Sequence, residues 1–423
     1  MSHYKPYPAY KDSGIEWIGQ VPEKWKVVSL LHLFNIKAGG DLKKEFYSEE
    51  KTEEYPYPIY TNSIKSNEAY GFTSKPFFKA NTITVTGRGE IGYAIYRDHE
   101  YDAIIRLLVL TPKNNKPCKY FAYCINSILV FFGGNTAVSQ LSTEQISPYK
   151  IFCPPFLEQQ AIVSFLDRQT ARIDALITKK TRFIELLKEK RQAFITHAVT
   201  KGLNPNVKMK DSGVEWIGEV PEHWSIVPLK IIAEIVNGAT PDSKNTAYWD
   251  GDIAWYTPAD IDNTVIKPLS IPQRQITEAG LASCSARLTP AGSIVISTRA
   301  PVGSIGVTTT ISTTNQGCRS ITPVPGMPSM LLASILAAAR SELAQRSNGT
   351  TFQELSAESL RALRIPLPPI DERLSISSAL DRQTARIDHI IEKTQRSIDL
   401  LRERRSALIT AAVTGKIDLR GSL

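Results

Sequence analysis

Two long segments of the chain carry hydrophobic residues at steps of three and four positions, the spacing of one face of an α-helix. The stripe runs over 162–198 in the first segment and over 376–412 in the second, with a few polar residues at matching steps. Each segment follows a Pro-Pro pair, and Gly202 and Gly415 come after the stripes as stop signals. The pattern predicts two helices that each pack against another long helix. The first, Glu158 to Val199, is expected to be about 60 Å long at ~1.5 Å per residue.

The helical segments belong to an internal repeat that covers most of the chain. Lys11–Trp25 returns 199 residues later as Lys210–Trp224, with three of fifteen residues changed. Leu166–Asp174 returns unchanged 214 residues later as Leu380–Asp388. We call the first of these repeated stretches the Trp motif. Repetition on this scale predicts two copies of one architecture within a single chain.

A third repeated stretch lies near the end of each helical segment, where Arg191–Thr200 returns as Arg405–Thr414. Because the same stripe occurs twice, the economical arrangement pairs the two helices with each other, antiparallel. We expect Gln169 and Gln383, polar positions within the identical nonapeptides, to help fix the register of that pair.

The stretches between the repeated parts differ from each other, although turn residues punctuate both. Each reads as an α+β module, mostly strands with one or two helices. The first module is predicted to contain strands Ile83–Thr86, Tyr93–Tyr96 and Ile104–Leu110 and a helix Tyr120–Phe131; the second, strands Ile253–Tyr256, Ser293–Ser297, Ser304–Val307 and Gly317–Ile321 and a helix Ser329–Arg346. The predicted domain bounds are 1–155 for the first module with its Trp motif, 156–205 for the first long helix, 206–369 for the second module and 370–423 for the second long helix.

Composition narrows the classes of protein. A chain of 423 residues with 42% hydrophobic residues can fold around more than one core. Its longest apolar run, near Met330, is about half of a bilayer span, and the Pro- and Tyr-rich beginning lacks an apolar signal region, so the cytoplasm is the expected location. Five cysteines without a Cys-x-x-Cys pair, and six scattered histidines, predict neither a disulfide framework nor a metal site.

The charge balance and the repeat together point to a kind of partner. Lys and Arg exceed Asp and Glu by 8, with a pI near 9.1, which fits a polyanion without demanding one. Identical surface presented twice suits two copies of one partner, whereas divergent surface presented twice suits two ligands or two parts of one ligand. A basic protein with two unlike modules therefore suggests an asymmetric, bipartite target on a duplex.

The residues resemble the specificity subunit of type I restriction-modification systems over essentially the whole chain. The resemblance rests on Ile-Gly-x-Val-Pro-x-x-Trp at 18–25 and 217–224, on Pro-Pro-x-x-Glu-Gln-x-x-Ile from Pro154, and on the repeated nonapeptide. The second module adds Asn237–Pro241, Thr298–Gly303 and Asn315–Gly317, which are also similar to the family. The first module lacks the Thr-Pro and Asn-Gln-Gly parts of these motifs, which blurs the choice of its base-contacting residues.

That resemblance implies an α+β fold with an internal pseudo-twofold repeat. Two target recognition domains, mixed β with a few helices, would be joined by the two long helices as an antiparallel coiled coil. Each domain would read one half of a split sequence in double-stranded DNA. Two methyltransferase subunits would dock on the chain, and restriction subunits would join further out. The chain itself would hold no cofactor, since S-adenosylmethionine, ATP and Mg would belong to the partner subunits.

Two other kinds of function remain as alternatives. Cys153-Pro-Pro-Phe156 is similar to the Pro-Pro-Tyr/Phe motif of DNA amino-methyltransferases, but cysteine is a poor acceptor and the second copy reads Leu367-Pro-Pro-Ile370. We interpret Pro-Pro as a strand-to-helix junction. The sequence has no Gly-x-x-x-x-Gly-Lys-Ser/Thr nucleotide loop, and no active site is predicted. A self-contained methyltransferase and a protein–protein adaptor with two divergent modules are the alternatives to DNA reading.

Candidate DNA contacts follow from side-chain chemistry and loop position, because base edges and phosphates are contacted mostly by Arg, Lys, Asn, Gln, Ser and Thr. Arg88 and Arg299 are the strongest candidates, since each lies in a turn after a strand at equivalent places in the two modules. The first-module candidates are Lys43, Lys44, Thr61, Asn62, Ser63, Lys65 and Arg88. The second-module candidates are Thr240, Lys244, Tyr256, Thr257, Arg299, Asn315, Gln316 and Thr350. The candidate partner contacts on the long helices are Arg168, Gln169, Arg172, Arg382, Gln383 and Arg386.

Overall fold

A computed structural model describes residues 5–15, 18–65, 68–114, 116–129, 140–262, 265–299, 301–347 and 354–421. The chain divides into two compact units. Unit 1 consists of Met1–Thr181 and Gln395–Leu423, and unit 2 consists of Arg182–Thr394. Each unit is a mixed α+β body in which short strands pack with segments of both long helices. None of the described helices is apolar enough over sufficient length to cross a membrane.

Unit 1 is made of short strands with a central helix between them and the long helices. Its strands are β1 (Tyr10–Asp12), β2 (Gln20–Pro22), β3 (Lys26–Ser29), β4 (Phe34–Ala38), β5 (Tyr47–Ser48), β6 (Tyr57–Tyr60), β7 (Gly71–Thr73), β8 (Thr82–Val85), β9 (Ala94–Arg97), β10 (Asp102–Ala103), β11 (Leu108–Pro112) and β12 (Lys150–Cys153). Its helices are α1 (Leu30–Leu33), α2 (Cys118–Leu129), α3 (Thr143–Ile146), the first part of α4 (Phe156–Lys201) and the last part of α9 (Ile370–Val413).

The main sheet of unit 1 has the antiparallel strand order β4-β11-β8-β9. Phe34 and Ile83 from this sheet share one hydrophobic core with Phe121 of α2. A second sheet, in the order β10-β6-β7-β5, contains a parallel pair between β10 and β6. An isolated bridge between Gly40 and Ile104 joins the ends of the two sheets.

Unit 2 repeats this architecture with different residues. Its strands are β13 (Met209–Asp211), β14 (Glu219–Pro221), β15 (Ser225–Pro228), β16 (Ala233–Asn237), β17 (Trp249–Tyr256), β18 (Gln275–Ile276), β19 (Ile294–Ser297), β20 (Ile305–Val307), β21 (Ser312–Thr314), β22 (Cys318–Pro323) and β23 (Arg364–Leu367). Its helices are the last part of α4, α5 (Glu278–Ala282), α6 (Ser329–Ala338), α7 (Arg340–Gln345), α8 (Ala357–Arg361) and the first part of α9 (Ile370–Val413).

The strand orders of the two units correspond. The main sheet of unit 2 is β16-β22-β19-β20, the counterpart of β4-β11-β8-β9. Its second sheet, β18-β17-β21, has a parallel pair between β17 and β21, the counterpart of β6 and β10. Two divergent sequences therefore adopt the same α+β topology, as the internal repeat predicts.

Two predicted elements are divided in the structure. The predicted strand Ile104–Leu110 is wrong over its first half, because Ile105 and Arg106 have positive φ and separate β10 from β11. The predicted helix Ser329–Arg346 is two helices, α6 and α7, which meet at Ala339. The predicted helix at Tyr120 is α2, whereas Phe131 lies outside the described residues.

The long helices pair antiparallel within each unit, as predicted. In unit 1, residues 162–166 of α4 share a core with residues 408–413 of α9, and Asp174 lies 2.9 Å from Arg405 Nε. In unit 2, residues 195–199 share a core with 376–380, and Arg191 Nε donates to Asp388 Oδ1 at 3.0 Å. In both units, later residues of α4 contact earlier residues of α9, so the two helices run in opposite directions.

An ion pair, rather than the predicted glutamines, crosses between the helices in each unit. The aspartate ends the repeated nonapeptide and the arginine begins the repeated decapeptide, so the two pairs are equivalent by the repeat. The Arg191 side chain is only 10% exposed, which makes its partner costly to remove. Gln383 is exposed and Gln169 is half-buried. The expected register role of these glutamines therefore passes to Asp–Arg pairs.

Each Trp motif is fixed to the start of a long helix by a buried indole. Trp25 Nε1 donates to Glu158 Oε1 at 2.9 Å in unit 1. Trp224 Nε1 donates to Glu372 Oε2 at 3.1 Å in unit 2. Both tryptophan side chains are fully buried. We call this contact the Trp–Glu joint; it connects each strand-rich domain to a helix that begins after Pro-Pro, which confirms the junction.

The two joints differ in the other group that reaches the carboxylate. In unit 1 the Tyr7 hydroxyl donates to Glu158. Burial, reinforced by this hydrogen bond, raises the pKa of Tyr7, so the hydroxyl remains a donor. In unit 2, His223 Nε2 lies 2.6 Å from Glu372 Oε1. A Glu carboxylate can accept from more than one donor, so both joints are satisfied by different neighbours.

The helix ends beside the joints require glycine. Gly415 has φ +71, and a Cβ there would lie 2.4 Å from Pro22 Cγ. Gly202 has φ +76, and a Cβ there would lie 3.2 Å from Trp224 Cζ2. The positive φ ends the helix and the missing side chain admits the Trp motif, so the stop signals read from the sequence are confirmed.

Replacing Glu158 with Ala should destabilise unit 1, because it leaves the buried Trp25 indole and Tyr7 hydroxyl without their acceptor. We expect the free energy of unfolding to fall by about 1–3 kcal/mol for each donor, measured by chemical denaturation of the full chain. Glu189→Ala on the exposed face of the same helix is the control and should change it by no more than about 0.5 kcal/mol. Equal effects of the two changes would contradict the structural role of the joint.

Candidate DNA interface

Four loops of unit 1 meet at one end of the main sheet. They follow β4 at Gly39–Gly40, β6 at Thr61–Lys65 and β8 at Gly87–Gly89, and connect β10 to β11 at Ile104–Leu107. Hydrogen bonds between these loops, together with the Gly40–Ile104 bridge, hold them against each other. Loops gathered on a rigid sheet are the usual place for binding residues, and the candidates of the first module are on or next to this group.

Asn62 joins three of the four loops. Its Nδ2 donates to Ile105 O at 2.8 Å, and its Oδ1 accepts from Gly87 N at 2.7 Å and Arg88 N at 3.2 Å. One N–H of this amide and its carbonyl oxygen are thus used within the protein. We therefore assign Asn62 a positioning role, in place of the base contact expected from the sequence.

Arg88 lies at the exposed rim of the loops in a turn that ends in Gly89 at φ +69. Its Nη2 donates to Gln140 Oε1 at 3.2 Å. Gly87 lies under the turn, where a Cβ would be 3.0 Å from Leu141 O. The backbone of the turn is thus packed against the protein, while the guanidinium of Arg88 remains accessible to a ligand.

The two lysines after the first loop are exposed. The Lys43 ammonium lies 3.3 Å from the centroid of the Phe77 ring, a cation–π contact that directs the side chain. Lys44 begins a short 3-10 turn over Lys44–Phe46. Point charges of this kind on a flexible stem suit phosphates better than base edges.

The second loop carries a local acidic partner. Ser63 Oγ donates to Glu68 Oε2 at 2.7 Å, and Lys65 Nζ donates to Glu68 Oε1 at 3.2 Å. Hydrogen bonds from Ser63 and then Lys65 lower the pKa of Glu68, so the carboxylate remains charged there. Thr61 is half-buried. A DNA contact by Ser63 or Lys65 would have to compete with Glu68.

Unit 2 brings the equivalent loops together. Ala239 N donates to Thr314 O at 2.9 Å, and the Thr240 hydroxyl donates to Gln316 Oε1. Gly238 lies so close to the neighbouring loop that a Cβ would be 1.9 Å from Asn315 O. Asn315 Oδ1 accepts from Gly317 N at 3.0 Å, which shapes its own turn. Thr240 and Gln316, both exposed, therefore form a polar pair at the rim.

Arg299 occupies the place in unit 2 that Arg88 has in unit 1, but its neighbour is charged. Its Nε and Nη2 both donate to Glu354 Oε2, at 3.3 and 3.2 Å. The equivalence rests on a matching backbone hydrogen bond in each unit. Leu141, which follows Gln140, donates from its N to Gly87 O at 2.8 Å. Leu355, which follows Glu354, donates from its N to Thr298 O at 2.9 Å. The two arginines thus share one backbone setting, with a neutral amide beside one and a carboxylate beside the other.

Two second-module candidates belong to the scaffold. Tyr256 is 1% exposed and its hydroxyl donates to Ser270 O at 3.0 Å, so the predicted DNA contact is withdrawn in favour of a core position. Thr257 donates from its N–H and its hydroxyl to Asp260 Oδ2, at 2.8 and 2.7 Å, and caps a 3-10 turn. Lys244 is exposed, and Thr350 lies outside the described residues.

Arg319 is a contributor that sequence reasoning missed. Its guanidinium donates to Asn237 Oδ1, and its Nη2 donates to Leu355 O at 3.2 Å. These bonds tie the end of β16 to the segment that carries Glu354. Burial lowers the pKa of Arg319 from its ordinary value. An arginine within a predicted strand ordinarily faces solvent, so the sequence carried no signal of this inward role.

The predicted partner contacts lie on the long helices. Gln169 is half-buried and the other five are exposed. Leu186 and Leu400 are also exposed, by 46% and 64%, at equivalent positions of the repeat. Each long helix therefore presents cations and an apolar residue at matching places. Within the described ranges, no group of three or more His, Cys, Asp or Glu side chains could hold a metal ion.

Comparison with known proteins defines the class. Residues 22–186 and 221–400 match the family model described as type I restriction modification DNA specificity domain. The match covers well over half of the chain, so the chain belongs to this family. The two matched segments correspond to the two copies of the internal repeat.

Individual relatives agree with this class. The chain is 36% identical over 187 residues to the type I restriction enzyme MjaIX specificity subunit of Methanocaldococcus jannaschii, an alignment that covers 44% of this chain and 42% of that one. It is 23% identical over 310 residues to the type I restriction enzyme EcoR124I/EcoR124II specificity subunit of Escherichia coli, covering 70% of each. The chain is thus a type I specificity subunit by family.

Solved structures share the fold. A chain from a study of complex assembly and conformational transition of the type I R-M system superimposes with a TM-score of 0.73, at 16% identity, covering 94% of this chain and 99% of that one. The HsdS subunit from Thermoanaerobacter tengcongensis gives a TM-score of 0.53 at 15% identity, covering 94% and 98%. Both share the α+β fold of this chain.

Replacing Arg88 with Ala should weaken DNA binding at one half-site only. If the guanidinium reads a guanine, discrimination at a single base pair should fall by about 1–3 kcal/mol, measured by binding to duplexes changed one base pair at a time. Arg299→Ala is the matched variant and should affect the other half-site. A uniform loss on every duplex, with a shallower dependence on salt, would make Arg88 a phosphate contact instead.

Proposed function

We propose that this chain reads a bipartite, asymmetric sequence in double-stranded DNA and reads one half-site with each unit. The observation that carries the proposal is the repeated loop group with unlike contents. Arg88 lies beside neutral Gln140 in unit 1, whereas Arg299 lies beside Glu354 in unit 2. Equal scaffolds with different donors and acceptors suit two different short sequences.

The exposed side chains fall into two roles in this proposal. Arg88, Arg299 and the Thr240–Gln316 pair present directed donors and acceptors, which suit base edges in the major groove. The exposed lysines, Lys43, Lys44, Lys65 and Lys244, supply sequence-independent attraction to phosphates. The proposal assigns no reaction to the chain, so S-adenosylmethionine, ATP and Mg would be bound by partner subunits.

The long helices are the proposed docking surface for two methyltransferase subunits. Arg168 and Arg172 have exposed twins at Arg382 and Arg386, within the identical nonapeptides. An identical surface that occurs twice suits two copies of one partner. Restriction subunits would join the assembly through these partners, and the assembly would act on cellular DNA in the cytoplasm.

The decisive experiment is base-resolution sequencing of methylated bases in the host genome, with and without this gene. The proposal expects loss of methylation at one split, asymmetric motif, and recovery when the gene is restored. An unchanged methylation pattern would contradict it. Binding of S-adenosylmethionine by the purified chain alone would favour the self-contained methyltransferase. A chain that binds partner proteins and leaves methylation unchanged would favour the adaptor.

Shortening both long helices should shorten the gap between the two half-sites, if the helix pair sets that gap. Removing residues 175–181 and 398–404 deletes one heptad from each helix at opposed positions and keeps both Asp–Arg pairs. The loss of about 10 Å at ~1.5 Å per residue corresponds to about three base pairs at ~3.4 Å each. The measurement is the methylated motif in cells that carry only the shortened chain.

The control for this deletion removes residues 175–181 alone. One shortened helix cannot keep its partner in register, so that variant should lose motif methylation altogether. An unchanged gap in the doubly shortened chain would show that the helix pair does not act as the ruler.

A further inference from the structure

The connection between β10 and β11 in unit 1 contains two neighbouring residues in the left-handed region. Ile105 has φ 54 and Arg106 has φ 56. A β-branched residue at positive φ is a genuine outlier, since its Cβ is crowded by the backbone. Such strain persists only where surrounding contacts impose it, and it is concentrated at functional sites. This turn therefore needs an explanation beyond connecting two strands.

Contacts from two other loops impose the conformation. Ile105 N donates to Gly40 O at 3.0 Å, and Ile105 O accepts from Asn62 Nδ2 at 2.8 Å. Asn62 is the same residue that holds the Arg88 turn. The strained turn and the turn of the best DNA-contact candidate are thus fixed by one side chain.

The turn occupies the place that Asn315–Gly317 has in unit 2. Ile104 N donates to Tyr60 O at 3.0 Å, and Asn315 N donates to Tyr256 O at 2.9 Å. Leu107 N then donates to Ile104 O at 3.2 Å, as Cys318 N does to Asn315 O at 3.1 Å. By this correspondence Ile105 stands where Gln316 stands. The first module does have a counterpart of the Asn-Gln-Gly turn, built from unrelated residues.

Both side chains of the turn are directed to solvent. Ile105 is 46% exposed, although isoleucine is among the residues most often buried, and Arg106 is exposed as well. An apolar and a cationic side chain side by side match two features of the major groove. The thymine C5-methyl group accepts apolar contact, and guanine O6 and N7 accept from arginine.

We propose that Ile105 and Arg106 are specificity-determining residues of unit 1. Ile105 contacts a thymine methyl group, and Arg106 donates to a neighbouring guanine in the half-site that Arg88 also contacts. The inference rests on the proposed function, because it needs unit 1 to read DNA. In unit 1 this pair takes the places that Gln316 and Gly317 have in unit 2, with unrelated side chains.

The test expresses Ile105→Gly and Arg106→Ala chains in cells that lack the native gene and reads the methylated motif at base resolution. Ile105→Gly removes the side chain and relieves the backbone, so the thermal unfolding midpoint of the purified full chain should stay or rise. The preference for thymine at one position should fall roughly tenfold or more. Arg106→Ala should lower the preference for guanine at one position of the same half-site by a similar factor.

Asp250→Gly is the matched control. Asp250 has φ 60 in unit 2, so glycine gives the backbone the same added freedom at positive φ away from this turn. Its methylated motif should equal that of the native chain. A motif relaxed to the same extent by Asp250→Gly would show that loosening the backbone, and not the Ile105 side chain, changes the reading.

The outcomes separate this inference from the proposed function. If the native gene restores no split motif, the proposed function fails. If the native gene restores one and both variants keep every base of it, only the role of Ile105 and Arg106 fails. A lower level of methylation with an unchanged motif would also overturn it, since that result indicates weaker phosphate contact or lower stability.

Discussion

The hydrogen bond between a buried tryptophan indole and a glutamate at the start of a long helix is the contact on which the rest of this protein depends. A buried indole N–H needs an acceptor, and a glutamate at the start of the helix supplies one in each unit. In unit 1 the carboxylate of Glu158 is buried as well, so it needs these donors in turn. Through that bond the strand-rich domain takes its orientation from the helix. The glycine at the helix end, without a side chain, lets the same tryptophan pack close. Loops on such a domain can vary without disturbing how the domain is attached.

The two units share one topology, and they present different side chains at the rim of their sheets. The strand order, the parallel pair and the loop contacts are shared by both units, while the residues beside the two matching arginines differ in charge. A guanidinium already paired with a carboxylate must give up that pair to reach DNA, whereas one paired with an amide gives up less. The same position can thus be tuned by its neighbour, without changing the arginine itself.

Much of the architecture could be predicted because repetition supplied an internal comparison. Two identical nonapeptides on two matching stripes are enough to infer a pair of antiparallel helices, and Pro-Pro marks where each begins. The candidate DNA interface is harder to predict from the sequence, because its geometry is imposed by contacts distant in sequence. Positive φ at Ile105 depends on Gly40 and Asn62, the inward turn of Arg319 on Leu355, and the burial of Tyr256 on Ser270. The sequence assigns the helix register to Gln169 and Gln383 because they are polar positions within the identical nonapeptides, whereas Asp–Arg pairs cross between the helices in the structure.

The division of the long helices between the units has a consequence for the order of folding. Unit 2 is one continuous stretch, Arg182–Thr394, whereas the core of unit 1 includes Leu408, Ala412 and Leu419. Once residue 394 has left the ribosome, all of unit 2 has therefore been synthesised. Unit 1, which is synthesised first, still lacks the part of its core that residues 395–423 supply. Its apolar surface stays open until the last helix arrives, and contacts of such wide sequence separation form slowly. The unit that is synthesised first is thus the last to complete its core. A chain truncated near its C-terminus would therefore disrupt the folding of unit 1.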